Sequence, residues 1–272
     1  MRTFLTAVGL SLCTTLAFAQ AQPQPGYEPS VGQEGKDVVW VPTPQALVDK
    51  MLSMAKVTPA DFLIDLGSGD GRTVITAAKR GVRAMGIEYN PDMVELSKRN
   101  AQKEGVGDKT KFVKADLFES DFSKATVITM FLLDRINLQL RPKLLELKPG
   151  TRLVSNTFTM GEWNHEEKVY ASEKEGCQSY CAAYLWIVPA RVAGQWKLPQ
   201  GELSLKQEFQ VITGQLKEKD RVVAVTGRLR GDRITFKAGN TEYTGRVAGN
   251  RIEGEGRGGV VWNATRVSAA KG

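Results

Sequence analysis

Apolar positions change period several times along the chain, and each change marks an element. From Pro44 to Lys56, Leu47, Met51, Met54 and Ala55 recur at helical spacing, with Thr43 placed to cap the helix and Pro44 at its first position. Asp61 to Asp65 reads as a short apolar strand that runs into glycines. A helix over Thr73–Arg80, a strand over Val82–Glu88 and a helix opened by Asn90-Pro91-Asp92 follow. Further strands fall at Lys111–Ala115 and Thr126–Leu133, the second apolar almost throughout, as a parallel strand buried on both faces should be. A helix over Leu138–Leu147 stops at Lys148-Pro149-Gly150 and leads into a strand over Arg152–Phe158. Repeated strand–helix units of this length predict an α/β fold with a doubly wound parallel sheet.

Beyond Pro189 the helical period disappears and short β-rich stretches alternate with glycine turns. The stretch from Val225 to Ile234 is echoed by Tyr243 to Ile252 at an offset of 18 residues, each copy a strand, a Gly-Asp or Gly-Asn turn and a second strand. With Glu202–Leu216 and Val260–Val267 added, the pattern predicts a small antiparallel all-β domain, a meander or barrel. At the other end, Met1-Arg2, an apolar run from Phe4 to Phe18 and the Ala17-Phe18-Ala19 site before Gln20 carry the marks of a secretory signal peptide. The run is too short for a membrane span, and none is expected in the mature chain. The expected organisation is a signal peptide over 1–19, a flexible linker over 20–37, an α/β domain over 38–190 and an antiparallel β domain over 191–272.

Composition narrows the chemistry. The chain has 272 residues, a net charge of +7, three cysteines and one histidine. With His165 alone, two-histidine zinc sites cannot form and a Ser-His-Asp triad has a single possible base; no metal is expected. After signal cleavage only Cys177 and Cys181 remain, a pair that reads as a small-loop disulfide in an exported protein, with free thiols the alternative. Residues 191–272 hold 15 Lys+Arg against 8 Asp+Glu, whereas 20–190 hold 21 against 22, so the basic excess belongs to the β domain. Arg228, Arg230, Arg233, Arg246 and Arg251 recur in the repeat near Phe236 and Tyr243. They read either as a surface for an anionic partner or as solvated outer strand faces, and an exported location disfavours nucleic acid.

The candidate chemistry lies where the first strand runs into Asp65-Leu66-Gly67-Ser68-Gly69-Asp70-Gly71-Arg72. Glycines at a strand-to-helix turn let the backbone approach a ligand closely. Glu88 ends the second strand 23 residues after Asp65, where a ribose diol would sit, and Asp116 with Leu117 ends the third. The glycines are spaced two apart, unlike the G-x-G-x-x-G of dinucleotide sites, and the neighbouring Asp65 and Asp70 would repel a pyrophosphate but not a cationic sulfonium and ammonium.

The segment resembles motif I of class I S-adenosylmethionine-dependent methyltransferases, and the resemblance extends from Val38 to Phe158. It implies a Rossmann-like sheet and S-adenosylmethionine as cofactor. Asp65, Gly67, Ser68, Gly69 and Gly71 would border the methionine moiety, Glu88 and the flanking Tyr89 the ribose, and Asp116 with Leu117 the adenine. Val41-Pro42-Thr43-Pro44 and Leu140-Arg141-Pro142-Lys143-Leu144-Leu145 add a narrower resemblance to lysine methyltransferases of the type that modifies the c-ring protein of ATP synthase. By that resemblance the acceptor is a protein lysine or another small amine.

Residues after the fourth strand orient the acceptor nitrogen in such enzymes. Here Thr129-Met130-Phe131-Leu132-Leu133-Asp134 stands in that place, without the Asn/Asp-Pro-Pro-Tyr suited to adenine-N6 methylation. Asp134 is the catalytic candidate, to orient or deprotonate an amine, with a helix cap as its other reading. Trp163, Asn164 and His165 either line the acceptor side or belong to a loop. The location expected is exported, periplasmic, which is in tension with a methyl donor made in the cytoplasm. The alternative functions are an exported non-catalytic binding protein on a retired methyltransferase fold and, more remotely, a nicotinamide-dependent oxidoreductase.

Overall fold

The structure is a computed structural model that describes residues 26–256 and 261–269. The segment expected to be a signal peptide, 1–19, lies outside the described residues. The first domain runs through α1 (Gln45–Met54), β1 (Phe62–Leu66), α2 (Arg72–Lys79), β2 (Arg83–Glu88), α3 (Pro91–Lys103), β3 (Thr110–Lys114), β4 (Val127–Met130), α4 (Asp134–Leu144), β5 (Arg152–Asn156), β6 (Glu167–Tyr170) and β7 (Ala182–Ile187). The strands form one sheet in the order β3-β2-β1-β4-β5-β7-β6. The first five are parallel, and β7 returns antiparallel to both β5 and β6.

Alternation along the central strands sends side chains to two cores. Leu63, Val127 and Val154 face α1, α2 and α3, whereas Ile64, Leu66, Ile128 and Leu153 face α4. All four residues of β4 are buried, as its continuous apolar run predicts. Asn90 caps α3 by accepting from the Asp92 N–H at 2.9 Å, with Pro91 at the first helical position.

Two local expectations shift. Pro44 is itself the N-cap of α1, because the Thr43 hydroxyl accepts from Asn156 Nδ2 at 3.2 Å instead of capping the helix. Helix α4 begins four residues before Leu138, since its buried stripe is Ile136, Asn137, Leu140 and Leu144 while Leu138 faces solvent. The pair Cys177 and Cys181 forms a disulfide across a tight loop before β7.

The second domain is an eight-stranded antiparallel barrel of β8 (Gly194–Leu198), β9 (Gly201–Glu208), β10 (Val211–Glu218), β11 (Arg221–Arg230), β12 (Arg233–Ala238), β13 (Thr241–Ala248), β14 (Arg251–Gly256) and β15 (Val261–Ala269). Successive strands pair, and β15 closes onto β8. The two predicted hairpins are β11–β12 and β13–β14, joined by Gly231-Asp232 and Gly249-Asn250. Gly231 at φ +62° and Gly249 at φ +58° occupy the first central position, where a type II′ turn requires glycine. The interior is filled: Phe236 stacks on Tyr243 at 4.9 Å, and Trp262 meets both rings edge-on. Phe236 and Trp262 are buried in the barrel core, and Tyr243 packs half-buried against them.

The barrel docks against the second core of the sheet. Phe209, at the β9–β10 turn, stacks on buried Trp163 with ring centroids 5.8 Å apart, and Arg141 lies over its ring. Gln210 donates to the Asn164 carbonyl at 2.8 Å, and the Ala190 N–H donates to the Gly231 carbonyl at 2.8 Å. Arg228 donates twice to the buried Glu166 carboxylate at 2.9 Å, and Arg230 to Glu167 at 3.0 Å. Arg246 pairs with Asp232 and Arg251 with Glu253. Four of the five repeat arginines thus pair with carboxylates of the same chain while their side chains stay exposed.

Trp163→Ala removes the largest side chain at this junction. It is expected to lower the unfolding free energy by about 3–5 kcal/mol, read as a fall in thermal midpoint and denaturant midpoint. An unchanged midpoint would show that the barrel does not share the core of the sheet.

Candidate active site

The motif residues gather at the carboxyl edge of the sheet around a cavity of about 390 Å3, with Gly71 set back from its wall against Phe112 and Ser97. Its walls are Asp65 and the Gly67–Asp70 turn after β1, Glu88 and Tyr89 after β2, and Asp116 and Leu117 after β3. Ile87, Met93, Met130 and Leu132 supply apolar surface. The volume is in the range of small-molecule sites.

The turn is built by backbone approach. Gly67, Gly69 and Gly71 all have left-handed φ, at +73°, +53° and +83°. A Cβ on Gly69 would lie 2.6 Å from Trp40 Nε1, and one on Gly67 would lie 3.2 Å from Leu132. The Gly67 and Ser68 N–H groups both donate to the Ile87 carbonyl, at 2.9 and 3.0 Å, which ties the turn to the end of β2. Ser68 lines the cavity with a buried hydroxyl that has no partner among the described residues. Glu88 receives the Gly69 N–H at 3.0 Å on one oxygen and the Asn90 N–H at 2.9 Å on the other. Each oxygen keeps a lone pair for a ligand hydroxyl.

Asp65 is buried, and its partner is the Thr129 hydroxyl of the neighbouring strand at 2.6 Å. Burial, reinforced by the charges of Asp70 and Glu88, pushes its carboxyl up to about 7 against the opposing hydrogen bond. Asp70 is held by Arg72 through three contacts of 2.6–3.1 Å. Among the described residues Asp65 and Glu88 keep no cationic partner, whereas Asp70 pairs with Arg72.

Asp116 receives the Phe118 N–H at 2.9 Å and pairs with Lys36, which holds its carboxyl below the ordinary aspartate range. Lys36 Nζ also lies 5.0 Å from the exposed Tyr89 ring. It belongs to the segment read as a flexible linker. In the structure Gly32 and Trp40 close a turn through the Gly32 N–H to Trp40 carbonyl bond at 2.8 Å, and residues 33–43 form one wall of the cavity. Arg135 donates to the Asp37 carbonyl at 2.5 Å and pins this strap to α4.

Asp134 stands away from the cavity wall. Its carboxylate accepts from the Thr159 N–H at 2.7 Å and the Thr159 hydroxyl at 3.0 Å, anchoring the loop after β5. These bonds tie the first turn of α4 to that loop. Trp163, Asn164 and His165 likewise lie outside the cavity wall, at the junction with the barrel. The residues that sequence reasoning missed are Lys36, Trp40, Phe158 and Tyr180, all lining the cavity, whereas Phe131 belongs to the stretch already placed after the fourth strand. Only Trp40 carried a signal, its place beside Val41-Pro42.

This sheet order, with a glycine turn after β1 and carboxylates after β1, β2 and β3, defines an S-adenosylmethionine-dependent methyltransferase. The ANTKMT methyltransferase domain matches residues 65–167. A protein-lysine N-methyltransferase of Saccharolobus islandicus is 44% identical over 154 residues, covering 56% of this chain and 94% of that protein. A lysine N-methyltransferase of Caenorhabditis elegans, named for the C subunit of ATP synthase, is 32% identical over 176 residues, covering 62% of this chain and 92% of that one. A solved RNA methyltransferase from Salinibacter ruber in complex with S-adenosyl-L-homocysteine is 45% identical with a TM-score of 0.52, covering 56% of this chain and 96% of the other. The chain belongs to the methyltransferase family of these proteins.

The residues present fit S-adenosylmethionine. The cavity has buried or half-buried carboxylates for a cationic amino acid portion and a diol, and apolar surface for a flat base. The glycines let the turn pack closely against Trp40 and Leu132, which keeps backbone N–H groups at the cavity edge. Asp65 would take the ammonium end, Glu88 the ribose, and Asp116 with Leu117 the adenine.

Two measurements check this assignment. The neutral form of Asp65 is the one the buried site favours, so its contribution to fold stability declines as pH rises from about 4 toward 7, while a cationic ligand requires the ionised form. Affinity for S-adenosylhomocysteine, measured by calorimetry, is therefore expected to rise between pH 6 and pH 8 in the wild type and to stay flat in Asp65→Asn. Gly69→Ala is expected to weaken the same affinity by about tenfold or more, since the new methyl displaces Trp40 in a left-handed turn. Wild-type affinity in Gly69→Ala would remove the turn from the binding site.

Proposed function

We propose that the chain transfers a methyl group from S-adenosylmethionine to the side-chain amine of a protein lysine. The observation that carries the acceptor class is the charge of the cavity. Glu34, Asp37, Asp65, Asp70, Glu88 and Asp116 line it against Lys36 and Arg72, so its field attracts a cation and opposes a polyanionic nucleic acid. The names of the Saccharolobus and Caenorhabditis relatives support a lysine acceptor.

The bound donor supplies a methyl group on a positively charged sulfur, which an incoming amine nitrogen displaces in line. The task of this chain is then to hold and orient. Asp65 and the Gly67–Gly71 turn secure one end of the donor, while Glu88 and Asp116 secure the other. The Gly32–Thr43 strap limits access from solvent on that side. Asp134 and Asn137 hold the loop after β5 through Thr159 and the Phe158 carbonyl, and so shape the side that an acceptor approaches.

An exported, periplasmic location is part of this proposal. The apolar N-terminal run before Ala19 and the Cys177–Cys181 disulfide support it, since disulfides persist in oxidising compartments.

Incubation of the full chain with methyl-labelled donor, lysine-containing proteins of the exported fraction and total RNA tests the acceptor. Label is expected on lysine side chains, identified by mass spectrometry, and is expected to fall at least tenfold with Gly69→Ala. Label on RNA alone, or none on lysine, would overturn the reading.

A further inference from the structure

The cavity has two chemically different halves, and their order follows the sheet. Carboxylates stand at the ends of β3, β2 and β1: Asp116, Glu88 and Asp65. Aromatic rings stand beyond the next three positions: Phe131 after β4, Phe158 after β5 and Tyr180 before β7. Because β7 runs antiparallel to β5, its first residues sit beside the last residues of β5, with Asn156 opposite Ala183. That register brings Tyr180 to the same edge as Phe158.

The three rings meet one another. Phe131 and Phe158 are stacked with centroids 6.0 Å apart, Tyr180 meets Phe131 edge-on at 5.2 Å, and Tyr180 lies 6.2 Å from Phe158. Phe131 and Phe158 are half-buried, and Tyr180 is 42% exposed, so the cluster is a lining of the cavity mouth and not part of either core. Thr157 and Tyr180 both adopt left-handed φ, at +59° and +54°, conformations that β-branched and bulky residues rarely hold. Such backbone is retained where surrounding structure enforces it. For Tyr180 the enforcement is the adjacent disulfide, whose Cys177 is buried in the core under α1. For the β5 loop it is Asn137, which donates to the Phe158 and Thr159 carbonyls.

We propose that Phe131, Phe158 and Tyr180 form the subsite for the acceptor's side-chain ammonium, with the Cys177–Cys181 loop holding Tyr180 in place; this rests on the lysine reading above. Aromatic faces attract an ammonium and tolerate its methylation, because they offer no fixed hydrogen-bond acceptor that a methyl group would displace. The charge balance suits them. The lysine enters as an ammonium and releases a proton to water at the open mouth. Its lone pair then forms the nitrogen–carbon bond as the carbon–sulfur bond breaks and sulfur keeps that electron pair. The nitrogen ends cationic and one methyl richer, against the same rings. The geometry therefore favours repeated methylation of one nitrogen.

The test uses the full chain saturated with S-adenosylhomocysteine and Nε-trimethyllysine as the probe, titrated by calorimetry. Binding is expected in the wild type, weakened about fivefold to tenfold or more in Tyr180→Ala and in Phe131→Ala, and kept within about twofold in Tyr180→Phe. Cys177→Ser with Cys181→Ser is expected to weaken it in the same direction. Affinity for S-adenosylhomocysteine is expected to stay within about twofold throughout, which also reports that the variants are folded. In the methylation assay, Tyr180→Ala is expected to raise the acceptor KM more than it lowers kcat and to shift product toward monomethyllysine. Probe affinity and acceptor KM unchanged in both ring-removing variants would overturn the cage. A wild-type chain that binds the probe through Tyr180 but methylates no lysine would instead overturn the lysine reading and leave an amine subsite standing.

Discussion

A carboxylate taken out of water at the end of β1 governs the arrangement around it. Asp65 has the Thr129 hydroxyl as its hydrogen-bond partner and two more carboxylates close enough to raise its pKa. An aspartate in that position is a cost to the fold by itself, because burial without a countercharge disfavours its ionised form. The cost is offset when a cation arrives. The glycines that follow let the backbone turn directly beside it, the Ile87 carbonyl ties that turn to β2, and Glu88 holds the Gly69 N–H. Burial, turn and second carboxylate are one device for a positively charged ligand.

The order of strands converts that device into a two-part site. In β3-β2-β1-β4-β5, chain direction along the sheet reverses between β1 and β4, and the crevice opens at that point. Everything on the β1 side ends in a carboxylate, and everything on the β4 side ends in a ring. Tyr89, just after β2, adds a ring to the carboxylate side, and Lys36 lies over it. Thr129 on β4 links the halves, since its hydroxyl supports Asp65 while its strand delivers Phe131 two residues later.

The carboxylate half of the cavity was legible in the sequence, but of the aromatic half only the stretch holding Phe131 was, for a physical reason. Asp65, the glycine turn, Glu88 and Asp116 lie within a few residues of strands whose apolar period announces them, so spacing alone put them at one edge. Phe131, Phe158 and Tyr180 are far apart in sequence and meet through the β5–β7 register and a disulfide, which no local pattern encodes. Lys36 was hidden for a different reason: its segment has no period because it is a strap, held by Trp40 and Arg135 and not by a repeating element. Asp134 is read from its position before a helix, whereas its partner Thr159 comes from the next crossover and leaves no trace in local spacing. The barrel's hairpins were readable from glycine turns, but which arginines are free was not, since Glu166 and Glu167 belong to the other domain.

The barrel's place in the molecule follows from coverage of the sheet. A parallel sheet must be protected on both faces. Three helices cover one face, while among the described residues α4 is the one helix against the other, with no helix following β3 or β5. Trp163, Trp186 and Met160 are nevertheless buried on that side, and Phe209 from the barrel lies stacked against Trp163. Phe209 does so from a left-handed backbone position at φ +50°, where a glycine would be easier, so the turn is shaped for the contact and not for its own comfort. The Arg228 and Arg230 pairs with Glu166 and Glu167 then neutralise the junction's charge. Part of the basic excess of the C-terminal region thus serves to seat the barrel on Glu166 and Glu167, at the start of β6.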